Sequence, residues 1–187
     1  MLISRTNKTK FTYRNYRSAF TIGDFHVGGG YKKTESFDLD IRIMQAIIII
    51  SDFYRLFLLE LSSTRRTIEY NRTIPDASET SKHLDGQAID FRFGKWDKRL
   101  HPIYEVEIRS KGKLYKELYA LGIREFLFYD TWNHIAIMDT VESRIGSFEK
   151  KPEDKIKENI TELSEVVITP VAKEYYDYYH QDSQIKT

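Results

Sequence analysis

The chain has 187 residues and contains no cysteine. Disulfide bonds, thiolate zinc sites, iron–sulfur clusters and cysteine nucleophiles are therefore all excluded. A transition metal could be held only by Asp, Glu and the five histidines, which are His26, His83, His101, His134 and His180. The search for a metal site therefore starts from a short set of possible ligands.

The sequence also lacks an excess of charge of either sign. Its 29 Lys and Arg residues balance 28 Asp and Glu residues, for a net charge of +1. Because nucleic-acid-binding domains are usually strongly basic, we expect no nucleic-acid partner. The N-terminal sequence MLISRTNKTKFTYRN contains no apolar core of a signal peptide. We therefore expect no signal peptide and synthesis in the cytoplasm.

A long uninterrupted apolar run is missing as well. The most apolar stretch, IMQAIIIISDFYRLFLLELSS, is broken by charged residues, whereas a membrane-spanning helix needs about 20 mainly apolar residues. We therefore expect no membrane association. Apolar residues recur in this stretch at three-and-four spacing, which predicts a buried helix over Leu39–Leu61 with Ser36 or Asp38 as its N-cap.

Alternation and amphipathic spacing predict the remaining elements. They are a short strand over 65–70, a strand over 88–93, a helix over 104–121 that Gly112 weakens, and strands over 126–129 and 134–138. Helices and strands are segregated along the chain, which predicts an α+β fold with a small antiparallel sheet packed against helices.

Composition divides the chain into two parts. Residues 1–148 are predicted to form one domain, in which residues 1–38 are an irregular extension with a loop at Gly28-Gly29-Gly30. Residues 149–187 contain a charged helix candidate followed by a tail rich in tyrosine.

The most informative segment is SKHLDGQAID, residues 81–90, which has the form S-x-H-x-x-G-x-A-x-D. His83 lies in a loop before a strand, and Gly86 permits a sharp turn because it has no Cβ. Ala88 and Asp90 are two residues apart and so share one face of the strand. A carboxylate that faces a protein interior needs a charged partner or a metal. His83 and Asp90 are therefore predicted to be two ligands of a metal site.

A third ligand is expected from a neighbouring strand. His134 begins an apolar strand, Trp132 can form a wall of the site, and Asp130 is close enough to act on water. Two histidines and one carboxylate leave a fourth zinc position open, which is typical of catalytic rather than structural sites. One zinc ion held there would acidify water and polarise a scissile carbonyl.

At these residues the sequence resembles the zinc D-alanyl-D-alanine peptidases of family M15, which include cell-wall carboxypeptidases, phage endolysins and the related amino-terminal fold of Hedgehog proteins. The resemblance covers roughly 39–139 and rests on the first motif and on the later strand-borne histidine. It implies a Hedgehog/D-Ala-D-Ala peptidase-like fold, with His83, Asp90 and His134 as the zinc ligands.

The sequence departs from the family pattern ahead of the first motif. Family members often carry S-G-Y-R there, and the arginine grips a substrate carboxylate. The nearest match is Glu69-Tyr70-Asn71-Arg72, which makes Arg72 the candidate equivalent and leaves Arg65 and Arg66 as alternatives. Asp90 could instead be the buried salt-bridge partner of Arg92 or Arg72.

Two further departures concern the last ligand. The family's catalytic base commonly lies about three residues before the last histidine, where this chain has Thr131, and Asp130 is one residue further back. Many members continue H-x-D, whereas this chain has His134-Ile135-Ala136. Asp130 is thus open to a second interpretation as an ordinary turn residue.

The resemblance implies a zinc metallopeptidase that cleaves peptidoglycan stem peptides, as a D,D-carboxypeptidase or an endopeptidase. Asp130 would be the catalytic base, and Arg72, Ser81 and Trp132 would contact substrate. Such a chain suits a phage lytic enzyme that acts at the bacterial cell wall, with residues 149–187 attaching to a virion or to the wall. The alternative is a catalytically inactive, metal-stabilised structural or adhesion protein of the same fold.

Overall fold

The structure is a computed structural model, and it describes residues 1–55, 59–75, 77–93, 100–130 and 132–147. The charged helix and tyrosine-rich tail predicted for 149–187 lie outside the described residues, as does Thr131. No helix within the described ranges combines the length and the apolar character needed to cross a membrane.

The described residues form a mixed α+β fold, as the sequence predicts. The helices are α1 (Ile41–Phe53), α2 (Ile68–Thr73), α3 (Leu100–Arg109) and α4 (Lys113–Ala120), and a 3₁₀ helix covers Ile22–Phe25. The strands are β1 (Leu2–Ser4), β2 (Ser36–Asp38), β3 (Leu59–Ser63), β4 (Ala88–Phe93), β5 (Ile123–Phe128), β6 (Asn133–Ile137) and β7 (Arg144–Ser147).

Five strands form the main sheet in the order β3-β4-β6-β5-β7, and β1 pairs with β2 separately. The pairs β3–β4, β4–β6 and β5–β6 are antiparallel. The edge strand β7 runs parallel to β5, with Phe126 opposite Ile145. The prediction of a small antiparallel sheet therefore fails at this edge, where β7 adds to the free side of β5 and runs parallel to it.

The first long helix is shorter than its apolar pattern predicts. α1 begins after Asp40, whose side chain accepts a hydrogen bond from the backbone of Arg42 and caps the helix in place of the predicted Ser36 or Asp38. After Phe53 the chain leaves the helix, and Leu59 and Leu61 lie in the edge strand β3. The three-and-four spacing did not reveal this change from helix to strand, because leucines at every second position fit both a helical and a strand pattern.

Two other predicted elements need correction. The segment 65–70, predicted to be a strand, instead leads into α2, which Thr67 caps by accepting a backbone hydrogen bond. The single helix predicted over 104–121 is divided into α3 and α4. Lys111 takes a positive φ of 54° at the break, next to Gly112, which is the residue expected to weaken this helix.

The hydrophobic core lies on one face of the main sheet, where α3 contacts β4 and α4 contacts both β5 and α1. Residues 1–38 include two short strands and a 3₁₀ helix, and they supply four phenylalanines to this same core, which are Phe11, Phe20, Phe25 and Phe37. The opposite face of the sheet is different, because Ala88, Leu127 and Ala136 are buried there outside the core cluster.

Candidate metal centre

Three side chains converge on the face of the sheet that points away from the core. His83 Nε2 lies 3.2 Å from Asp90 Oδ1 and 3.2 Å from His134 Nδ1, and the latter two atoms are 2.8 Å apart. All three residues are buried, with exposed fractions of 2%, 4% and 9%. The structure therefore brings together the three predicted ligands in an arrangement that could hold a metal ion.

The sheet and one turn place these residues. Asp90 in β4 is directly opposite His134 in β6, and Ala88 is opposite Ala136 on the same face, which leaves room beside the ligands. Gly86 adopts a φ of +67°, and a Cβ there would lie 2.6 Å from the carbonyl oxygen of Asp38. The turn that returns His83 over the strand therefore requires glycine at this position.

His83 is oriented by its other ring nitrogen. Its Nδ1 donates a hydrogen bond to the carbonyl oxygen of Thr64, which is fully buried. This bond assigns the tautomer in which Nε2 carries a lone pair directed at Asp90 and His134. A hydrogen bond of this kind is the usual support of a histidine that binds a metal.

His134 has a matching support on the opposite side. Its Nε2 donates to Oε1 of Glu125 at 3.2 Å, and Glu125 Oε2 accepts from Arg144 at 2.9 Å. Glu125 is itself buried within β5. The arrangement leaves His134 Nδ1 for a ligand and matches the carboxylate–histidine pairs that increase ligand basicity in zinc sites.

Asp90 is held by Arg66, which the sequence offered only as an alternative to Arg72 for binding a substrate carboxylate. Arg66 Nη2 donates to Asp90 Oδ2 at 2.6 Å, and Arg66 Nε donates to Ser63 Oγ at 3.0 Å. The partners considered in the alternative interpretation of Asp90 lie elsewhere, because Arg92 pairs with Glu60 on the surface and Arg72 is exposed in α2. Arg66 thus fixes one carboxylate oxygen and leaves the other facing the histidines.

These contacts and burial shift the pKa values of Asp90, His83 and His134. Burial raises the pKa of Asp90, but hydrogen bonds from His134 and His83 outweigh burial and hold that pKa well below its usual range. Burial lowers the pKa of His83. For His134, burial lowers the pKa, but hydrogen bonds to Asp90 and Glu125 outweigh it and raise the pKa to about 9. A cation, either a proton or a metal, is therefore favoured among the three ligand atoms.

The donor set and its spacing fit a small divalent ion. Zinc binds imidazole nitrogen at about 2.0–2.1 Å, so ligands at the corners of a tetrahedron lie about 3.3 Å apart. The observed separations of 2.8–3.2 Å are close to that value. Each ligand also has the outer hydrogen-bond partner that a built metal site requires.

Four other residues were predicted to belong to the site. Trp132 is two residues before His134 and shares its face of the sheet, and Ser81 is half-buried in the loop that carries His83. Asp130 and Arg72 are exposed. In the described part of the chain, neither of them makes a hydrogen bond or ion pair with the three ligands.

Sequence reasoning missed most of the supporting residues. Glu125 could have been found, because it is a carboxylate inside the apolar strand IREFLF and the argument used for Asp90 applies to it equally. Thr64 acts through its backbone carbonyl and carries no side-chain signal. Arg66 was predicted only as a possible substrate-binding arginine, and its position beside Asp90 depends on β3, whose first residues were predicted to lie in a helix.

The three-glycine loop has a structural task beside the centre. Gly29 has a φ of +80°, and a Cβ there would lie 1.9 Å from the carbonyl oxygen of Arg65. Its own carbonyl accepts a hydrogen bond from Thr67, and Val27 accepts one from Thr64. The loop therefore packs directly against the segment that supports His83 and Asp90.

Comparisons with known proteins give no match, either to a family model, to a curated protein or to a solved structure.

Proposed function

We propose that this chain is a zinc-dependent metallopeptidase that cleaves peptidoglycan stem peptides, with a Hedgehog/D-Ala-D-Ala peptidase-like fold. The observation that carries the proposal is the convergence of His83 Nε2, Asp90 Oδ1 and His134 Nδ1, each with an outer partner. The choice of peptidoglycan as the substrate rests on the resemblance of the S-x-H-x-x-G-x-A-x-D motif to family M15.

In this proposal His83, Asp90 and His134 would hold the ion through Nε2, Oδ1 and Nδ1. Zinc in such a site supplies Lewis acidity, which acidifies water and polarises a peptide carbonyl. Asp130 accepts the proton of the attacking water and returns it to the leaving amine. Arg66 replaces Arg72 as the preferred arginine, since it lies at the centre and uses only two of its five N–H groups in the bonds to Asp90 and Ser63.

The experiment measures metal and product together. Purified protein is analysed for bound metals and incubated with peptidoglycan, and released amines and peptides are identified by mass spectrometry. Loss of a terminal D-alanine indicates a carboxypeptidase, whereas new amino groups inside the stem indicate an endopeptidase. His83→Ala is expected to abolish both zinc binding and release, while the control His101→Ala changes a histidine outside the centre and leaves both intact.

A specific observation supports a second candidate, the metal-stabilised structural protein. Asp130 is exposed and makes no described bond to the ligands. Bound zinc, loss of stability on chelation and no released amine would favour this candidate over the peptidase. Bound iron in place of zinc would contradict the zinc peptidase, since two histidines and a carboxylate also form the common Fe(II) triad.

A further inference from the structure

A pair of stacked aromatic rings lies beside the centre. The rings of Tyr129 and Trp132 are nearly parallel, at 7°, with their centroids 3.6 Å apart. The backbone N–H of Tyr129 donates to the carbonyl oxygen of Trp132 at 3.0 Å and closes the turn between β5 and β6. Ring and backbone contacts together fix the direction of the Tyr129 side chain.

Strand register places this tyrosine on the face that carries the metal ligands. Leu127 in β5 is directly opposite His134 in β6. The hydrogen bond from Tyr129 to Trp132 continues this pairing one residue beyond β5, and side chains alternate along paired strands, so Tyr129 follows Leu127 on the same face. Opposite Trp132, Tyr129 is the diagonal neighbour of His134, a separation of about 7–8 Å that aromatic side chains can bridge.

The charges of the centre act on this phenol. Burial raises the pKa of Tyr129, and the carboxylates of Asp90 and Glu125 raise it further. The phenol is therefore within electrostatic range of both carboxylates. Tyr129 is half-buried, so one part of its side chain remains accessible to a bound molecule.

We propose that Tyr129 is a substrate-contacting residue of the centre, and that its hydroxyl donates a hydrogen bond to the oxygen of the scissile peptide carbonyl. The inference rests on the peptidase function proposed above. Glu125 cannot take this role because its oxygens accept bonds from His134 and Arg144. Asp130, when ionised, is an acceptor only. A donor directed at a carbonyl oxygen stabilises the negative charge that develops there.

The test removes one oxygen atom. Tyr129→Phe eliminates the hydroxyl and retains the ring that stacks on Trp132. The matched control is Tyr119→Phe, which removes a hydroxyl that bonds to the carbonyl of Val141 beyond α4. Zinc-loaded proteins are titrated calorimetrically with a phosphinic analogue of D-alanyl-D-alanine, and kcat and KM are measured for peptide release.

Tyr129→Phe is expected to weaken phosphinate binding by about 10–100-fold, as expected for a lost hydrogen bond to a charged group. It should lower kcat by about 10²–10³-fold with KM and zinc content little changed. Tyr119→Phe should match the wild type. Equal phosphinate affinities of Tyr129→Phe and wild type overturn the role of Tyr129, even where the wild type is active. Zinc-loaded wild type that releases no amine refutes the peptidase function separately, and failure to bind the phosphinate overturns both.

Discussion

The two faces of the main sheet are built on different principles. The face toward the helices is apolar and contributes buried phenylalanines and isoleucines to one continuous core, namely Phe91, Phe126, Phe128, Ile135 and Ile137. The opposite face carries Asp90, Glu125 and His134 between small residues. Burial of apolar area is non-directional, whereas buried charges need specific partners at specific distances. The first face therefore determines the fold, and the second determines the chemistry.

The largest expected effect comes from the core face. Phe126 is fully buried, so Phe126→Ala should lower the free energy of unfolding by about 3–5 kcal/mol. The loss should be equal with zinc and with a chelator, because Phe126 points away from the centre. Urea unfolding measures it, and Val141→Ala, at a residue 82% exposed, should change stability by less than about 0.5 kcal/mol. A loss that depended on zinc would show that the two faces are not independent.

The metal face should respond to zinc instead. Zinc at about 100 times its Kd should raise the free energy of unfolding of the wild type by about 2.7 kcal/mol. Asp90→Asn removes a charged ligand and should abolish most of this increment, while Asp139→Asn, at an exposed aspartate, should retain it. Because the free energy of unfolding of each variant is compared with and without zinc, the effect of the substitution on the metal-free protein is subtracted. An unchanged increment in Asp90→Asn would exclude Asp90 as a ligand.

The same contrast explains what could be predicted from the sequence. The strand 88–93 and the convergence of His83, Asp90 and His134 were predicted correctly, because a charged residue in an apolar strand and a glycine turn leave a local signal. The end of α1 was not predicted, since pairing of β3 with β4 is a long-range contact that residue spacing does not encode. The supporting bonds to Thr64 and Arg66 depend on that pairing and were missed for the same reason.

A smaller effect should come from the partner of a ligand. Glu125→Gln keeps an acceptor for His134 but removes the negative charge, and loss of such a partner typically weakens metal binding by about 10–100-fold. The control Glu60→Gln changes a surface carboxylate that pairs with Arg92, and it should leave zinc affinity unchanged. Competition with a chromophoric chelator gives both affinities. Equal affinities for Glu125→Gln and wild type would show that Glu125 supports only the fold.

A further expected effect is a pH dependence of opposite sign with and without metal. The folded-state pKa of His134 is about 9, above the value of 6.5 expected in the unfolded chain. Its contribution to metal-free stability is therefore complete below pH 6.5 and is lost as pH rises through 9, by at most about 1.4 kcal/mol per pH unit. Zinc must displace this proton, so zinc affinity should increase over the same range by up to about tenfold per unit.

Calorimetry in two buffers with different ionisation enthalpies counts the released proton, and chelator-treated protein unfolded by urea at several pH values gives the stability. The expected result is one proton released per zinc at pH 7 and metal-free stability that falls between pH 6.5 and 9. Both trends share one cause, since the proton on His134 and the metal occupy the same gap among the three ligand atoms. Zinc binding without proton release, or metal-free stability that rises over this range, would place the cation elsewhere than on His134 Nδ1.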